Sequence, residues 1–142
     1  MKTLVRLAAV LCFTACVTSA RAELSPVAFD VGQQQFKSGD SIVIDEVLAS
    51  SPRFELGTTV VVRGHYRLAS YPRATLGFYL THRSPAGPDA TAPFQVAKID
   101  QPTGSFELRC EISYEGDPHV SFYPSTGGES FGGVYFSAAR KI

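Results

Sequence analysis

Between residues 58 and 68 the chain alternates with a period of two. Val60, Val62, Tyr66 and Leu68 fall on one side, and Thr59, Arg63, His65 and Arg67 on the other. Successive side chains of an extended strand point to opposite faces, so this segment predicts a half-buried β-strand. The same spacing recurs from Ala74 to His82 through Leu76, Phe78 and Leu80. It returns from Ser105 to Ile112 through Phe106, Leu108, Cys110 and Ile112. Ser41 to Leu48, Phe94 to Ile99, His119 to Tyr123 and Phe131 to Ser137 complete seven predicted strands. Beyond residue 22 no stretch carries the three-and-four spacing of an amphipathic helix. The expected core is Ile44, Val60, Val62, Leu76, Phe78, Phe106, Leu108, Val120, Phe122, Val134 and Phe136.

The links narrow the architecture. All 9 prolines and 12 glycines fall after residue 22, mostly between the predicted strands. Asp100 to Gly104 and Ser125 to Glu129 are short and glycine-bearing, the chemistry of hairpin turns. The stretch from Arg83 to Pro93, rich in proline, is long enough to cross from one sheet to another. Hairpins joining the first and second, fourth and fifth, and sixth and seventh strands predict an all-β, two-sheet antiparallel sandwich of seven to eight strands. That pattern resembles an immunoglobulin-like sandwich, without the paired cysteines and core tryptophan of antibody domains. Residues 41–142 form the expected sandwich. Residues 23–40 form either a tether or an extra edge strand through Val27, Phe29 and Val31.

The first 22 residues read differently. Lys2 and Arg6 precede an apolar run from Leu7 to Val17 that is too short to span a bilayer. Ala20-Arg21-Ala22 then supplies small residues at a cleavage site, so residues 1–22 are expected to be a signal peptide. The protein is therefore expected to be exported, periplasmic or extracellular. Phe13-Thr14-Ala15-Cys16 approximates a lipobox, which makes a lipid anchor at Cys16 the minority alternative. Cleavage would leave ten basic residues against thirteen acidic ones, a balance that argues against binding nucleic acid. Cys110 would be the one remaining thiol, placed on the buried side of its strand, where thiols are unreactive. The chain has no asparagine and hence no N-glycosylation site.

His119-Val120-Ser121-Phe122-Tyr123-Pro124 and Glu129 through Phe136, with Gly39-Asp40-Ser41-Ile42, resemble small exported bacterial β-domains. The resemblance implies a discrete exported domain and carries no activity with it.

Patterns of catalysis do not assemble. Gly128-Glu129-Ser130-Phe131-Gly132 matches a nucleophile-elbow spacing, yet it lies between two strands and no histidine follows it. Asp45 and Glu46 are adjacent in a strand and point to opposite faces. His65, His82 and His119 show no short metal-ligand spacing, so no metal or other cofactor is expected. What the alternation does gather is a set of outward residues on the third, sixth and seventh strands. These are Thr75, Tyr79, Thr81, His119, Ser121, Tyr123 and Tyr135. Tyrosine combines a large rigid contact area with a hydroxyl, which suits recognition. The expected function is a non-enzymatic module binding a protein or cell-surface glycan through Tyr79, His119, Ser121, Tyr123 and Tyr135. The alternative is a small periplasmic hydrolase or metal-dependent enzyme that uses surface histidines.

Overall fold

The period-two segments become strands in the computed structural model, which describes residues 23–83 and 91–140. The expected signal segment and Cys16 lie outside the described residues. Nine strands follow in order: β1 (Ser25–Pro26), β2 (Phe29–Gln35), β3 (Ser41–Ala49), β4 (Thr59–Arg67), β5 (Ala74–His82), β6 (Val96–Ile99), β7 (Thr103–Glu111), β8 (Gly116–Tyr123) and β9 (Gly132–Ala138). They form two antiparallel sheets, ordered β1-β3-β4-β7 and β2-β9-β8-β5-β6. No helix occurs among the described residues.

Without β1 and β2, the order β3-β4-β7 facing β9-β8-β5-β6 is that of an immunoglobulin-like sandwich. Its second strand pairs with the fifth in one sheet, and its penultimate strand pairs with the third in the other. All eleven expected core residues are buried between the sheets. Phe78, Phe122, Leu76 and Leu108 are the largest fully buried side chains. Rings interlock in the core: Phe78 meets Phe136 of the same sheet at 5.5 Å between centroids, and Phe122 meets Tyr66 of the opposite sheet edge-on at 6.4 Å.

Three expectations are corrected. The fourth and fifth predicted strands do not form a hairpin, because β6 and β7 belong to different sheets. The Asp100–Gly104 link is a corner between sheets, pinned where Leu68 N donates to Pro102 O at 2.8 Å. The strands that flank the stretch from Arg83 to Pro93, β5 and β6, are paired neighbours in one sheet rather than members of two, and residues 84–90 lie outside the described residues. Among the described residues the strands number nine rather than seven or eight, because the segment before residue 41 supplies two strands instead of one or none.

That segment switches sheets. β1 pairs with β3, and Val27 N donates to Val47 O at 2.8 Å; β2 then pairs with β9 at the edge of the other sheet. The opposite edge is bridged as well. Phe78 N donates to Gln95 O and Arg109 N donates to Phe94 O, so two consecutive carbonyls serve opposite sheets. Phe94 holds a left-handed backbone (φ 67°), which is strained for a residue with a side chain. These two bridging bonds offset that strain. Asp40 fixes the start of β3 by accepting from Ala69 N at 2.7 Å, Ser70 N at 3.0 Å and Ser70 Oγ at 2.5 Å.

Candidate functional site

The two outer faces of the sandwich differ in chemistry. On the β3-β4-β7 sheet, Arg63 lies between Glu46 at 3.2 Å and Glu107 at 2.7 Å, and His65 Nδ1 sits 2.8 Å from Asp45. This is a solvated face of opposite charges laid across neighbouring strands. Such exposed pairs contribute little to stability.

The centre of the outer face of the five-stranded sheet is built from neutral groups, with the Arg83–Asp117 ion pair at 3.0 Å beside Thr81 and Lys98 beside Thr75 at its margins. β5, β8 and β9 are neighbours, and strand parity brings all seven outward residues expected from the sequence onto this one face. Register orders them in rows across the strands. Tyr79, His119 and Tyr135 form one row, and Gly77, Ser121 and Gly133 form the next. A third row pairs Thr75 with Tyr123.

Contacts within and between the rows fix the rings. Tyr79 and Tyr123 meet edge-to-face at 5.5 Å, and His119 tilts against Tyr135 at 5.1 Å. Tyr135 Oη and Thr81 Oγ1 share a hydrogen bond of 3.0 Å, as do Tyr79 Oη and Thr91 Oγ1 at 3.2 Å. Ser121 links two members of its own strand: its Oγ lies 2.7 Å from His119 Nδ1, and it also hydrogen-bonds Tyr123. Burial lowers the pKa of His119 below the ordinary 6.5, so the ring is neutral at pH 7. Burial pushes the Tyr123 hydroxyl up to about 12; Tyr79 adds to the rise, and the Ser121 hydrogen bond opposes it.

Glycine at position 77 makes room for both tyrosine rings. A Cβ built there would come within 2.5 Å of Tyr79 Cε2 and 3.1 Å of Tyr123 Cε2. Two open grooves flank His119. The first, of about 610 Å³, runs past Tyr135, Ser121 and Gly133 toward Gln33 and Gln35 of β2. The second, of about 490 Å³, is lined by Tyr79, Tyr123, Thr75, Pro124, Gly127 and Gly128. Gly127 and Gly128 of the β8–β9 turn are therefore a wall of the site. β2 joins the sheet at its edge and adds a further wall without covering the rings.

The remaining candidates sit elsewhere. His82 stacks on Tyr114 at 3.7 Å, so the three histidines occupy three separate neighbourhoods. Among the described residues no three His, Cys, Asp or Glu side chains converge as a metal site. Ser130 lies in the β8–β9 turn, where its Oγ accepts from Gly132 N at 3.3 Å. Cys110 is buried in β7, with Gln95 Nε2 3.8 Å from its sulfur. Sequence reading missed Gln33, Gln35, Phe36 and Lys37, all from the segment where alternation is weak. The adjacent glycines Gly132 and Gly133 were the available signal, because glycine inside a strand marks a close approach to the backbone. No protein-family model, curated protein or solved structure matches this chain.

Proposed function

We propose that this protein is an exported, non-enzymatic binding module that recognises a protein or cell-surface glycan through the outer face of its five-stranded sheet. One observation carries the reading: Tyr79, His119, Ser121, Tyr123 and Tyr135 form a continuous neutral patch at the centre of their face, with the Arg83–Asp117 pair at its margin, while ion pairs occupy the centre of the opposite face. Recognition surfaces are rich in tyrosine and poor in lysine and carboxylates at their centre. The signal-like features of residues 1–22 support export to the periplasm or beyond.

A hydrolase would have to use the His119–Ser121 pair, the one imidazole–hydroxyl contact on this face. Among the described residues no carboxylate touches His119 to orient its ring, and Ser121 is only 4% exposed within a strand. Both features argue against nucleophilic catalysis by the pair.

The test is capture of envelope components by the purified protein and two variants. Tyr79→Ser with Tyr135→Ser should weaken capture by about tenfold, since aromatic anchors typically contribute ~1 kcal/mol or more each. Glu107→Ala with Arg67→Ala, on the other outer face, should leave capture unchanged. Equal capture by all three proteins, with circular dichroism confirming the fold, defeats the proposal. Labelling of Ser121 by a fluorophosphonate would defeat its non-enzymatic part.

A further inference from the structure

We propose that the larger groove binds a neutral oligosaccharide; this rests on the reading of the face as a recognition surface and names its ligand class. The floor of the groove is a place where side chains are missing. Gly77, Ser121 and Gly133 sit opposite one another on three adjacent strands, and Gln35 continues the row onto β2. Rings cover the Gly77 end, so the open part runs over Ser121 and Gly133 to Gln35. A side chain at residue 133 would strike Ser121, and one at residue 132 would come within 3.2 Å of the Phe36 ring. Gly133, registered to outward Ser121, thus keeps the backbone of β9 approachable from outside, while Gly132 makes room for Phe36.

The walls carry matched chemistry. A register shift in β2 between Val31 and Gln34 marks a bulge, and both Gln33 and Gln35 line the groove. Thr81, Ser121 and Ser130 add hydroxyls, and Tyr135 and Phe131 add ring surface. Amides and hydroxyls both donate and accept, as sugar hydroxyls do, while the C–H faces of a sugar ring rest on aromatic surfaces. The volume of about 610 Å³ falls in the range of small-ligand sites, roughly 300–1,000 Å³.

Charge selects against acidic ligands and groove form against peptides. No Asp or Glu lines the groove, and the single cation, Lys37, is already engaged. Its Nζ donates to Tyr71 Oη at 3.1 Å and lies 5.0 Å from the Tyr71 ring and 5.7 Å from the Phe131 ring. A phosphorylated or acidic partner calls for clustered arginines, and none lines the groove. An extended peptide is held by pairing along a free sheet edge, whereas this groove crosses the face, where the ladders are already made.

The experiment is a titration of the ¹⁵N-labelled protein with cellotetraose, chitotetraose, maltotetraose and mannotetraose, preceded by a neutral and acidic glycan array. At least one neutral oligosaccharide should bind saturably and shift the resonances of Gln35, Ser121 and Gly133. Affinity should hold in about 1 M salt, which screens charge attraction beyond ~3 Å. Gln35→Ala, at an exposed edge position, should weaken binding about fivefold, the effect of losing one hydrogen bond. Gln35→Trp should abolish it by filling the groove. A blank array, binding restricted to acidic glycans, or shifts confined to another surface overturns the inference. If the array is blank while capture of a protein still depends on Tyr79 and Tyr135, the oligosaccharide falls and the recognition face stands. If capture does not depend on them either, both fall.

Discussion

Tyr79 and Tyr123 meet edge-to-face with ring centroids 5.5 Å apart, over a glycine that belongs to the same strand as Tyr79. The pair sits diagonally across β5 and β8, because Tyr79 is registered to His119 and Tyr123 to Thr75. Aromatic contacts of this kind are worth about 0.5–1.5 kcal/mol beyond the area they bury. Here they also set the slope of one groove wall.

Gly77→Ala is therefore expected to destabilise the protein by about 1–3 kcal/mol, the usual range for forcing extra volume into a packed site. The added methyl meets the ring of Tyr79 and must rotate it away. Urea denaturation gives the loss directly. A change below about 0.5 kcal/mol would mean that the two rings give way freely.

Tyr123 should be a late-ionising tyrosine, with its hydroxyl titrating near pH 12. The folded pKa is raised above the ordinary 10.0, so the unfolded chain loses this proton first. The stabilising contribution is complete below pH 10 and is lost as pH rises from 10 through about 12. Ultraviolet titration of the wild type and Tyr123→Phe checks it. The difference spectrum should show tyrosinate forming well above pH 10, and the variant's stability should fall less over that window.

Leu108→Ala should cost about 2–5 kcal/mol, as expected for emptying a fully packed leucine site. Thermal or chemical unfolding measures it. A cost below about 1 kcal/mol would be incompatible with Leu108 lying between the sheets.

Asp40→Ala should also destabilise, by about 1–3 kcal/mol or more, because it strands the Ala69 and Ser70 amides that the carboxylate receives. Asp40→Asn retains an acceptor oxygen and should recover part of the loss. Hydrogen exchange should localise the effect, with the amides of Ala69 and Ser70 exchanging faster in Asp40→Ala than elsewhere in the molecule.

Much of this architecture was written in strand parity. β7 alternates strictly from Phe106 and β4 does so apart from Val61, which is buried on the other face, so the buried set from Val60 to Leu108 could be read from sequence alone. The same parity placed Tyr79, His119, Ser121, Tyr123 and Tyr135 together, since outward positions on paired strands meet automatically. The links were less legible. Asp100-Gln101-Pro102-Thr103-Gly104 carries turn residues that serve a hairpin and an inter-sheet corner equally well. What decides between them is the Phe94–Gln95 bridge and the Leu68–Pro102 bond, contacts made far along the chain. β2 was illegible for a different reason. At the sheet edge its Asp30-Val31-Gly32-Gln33-Gln34-Gln35 run is exposed on both sides, so burial imposes no period on it.

The sheet-switching segment also has a mechanical meaning. A load applied at the N-terminal side of residue 23 would reach β1 first, where two residue pairs hold it to β3. Once that short zipper opened, tension would pass to the ladder between β2 and β9. The side chains of Gln33 and Gln35 travel with β2, so peeling it away would dismantle one side of the groove while Phe78, Phe122 and Leu108 stayed enclosed. In such a molecule grip would be surrendered under tension before the body of the domain unravelled.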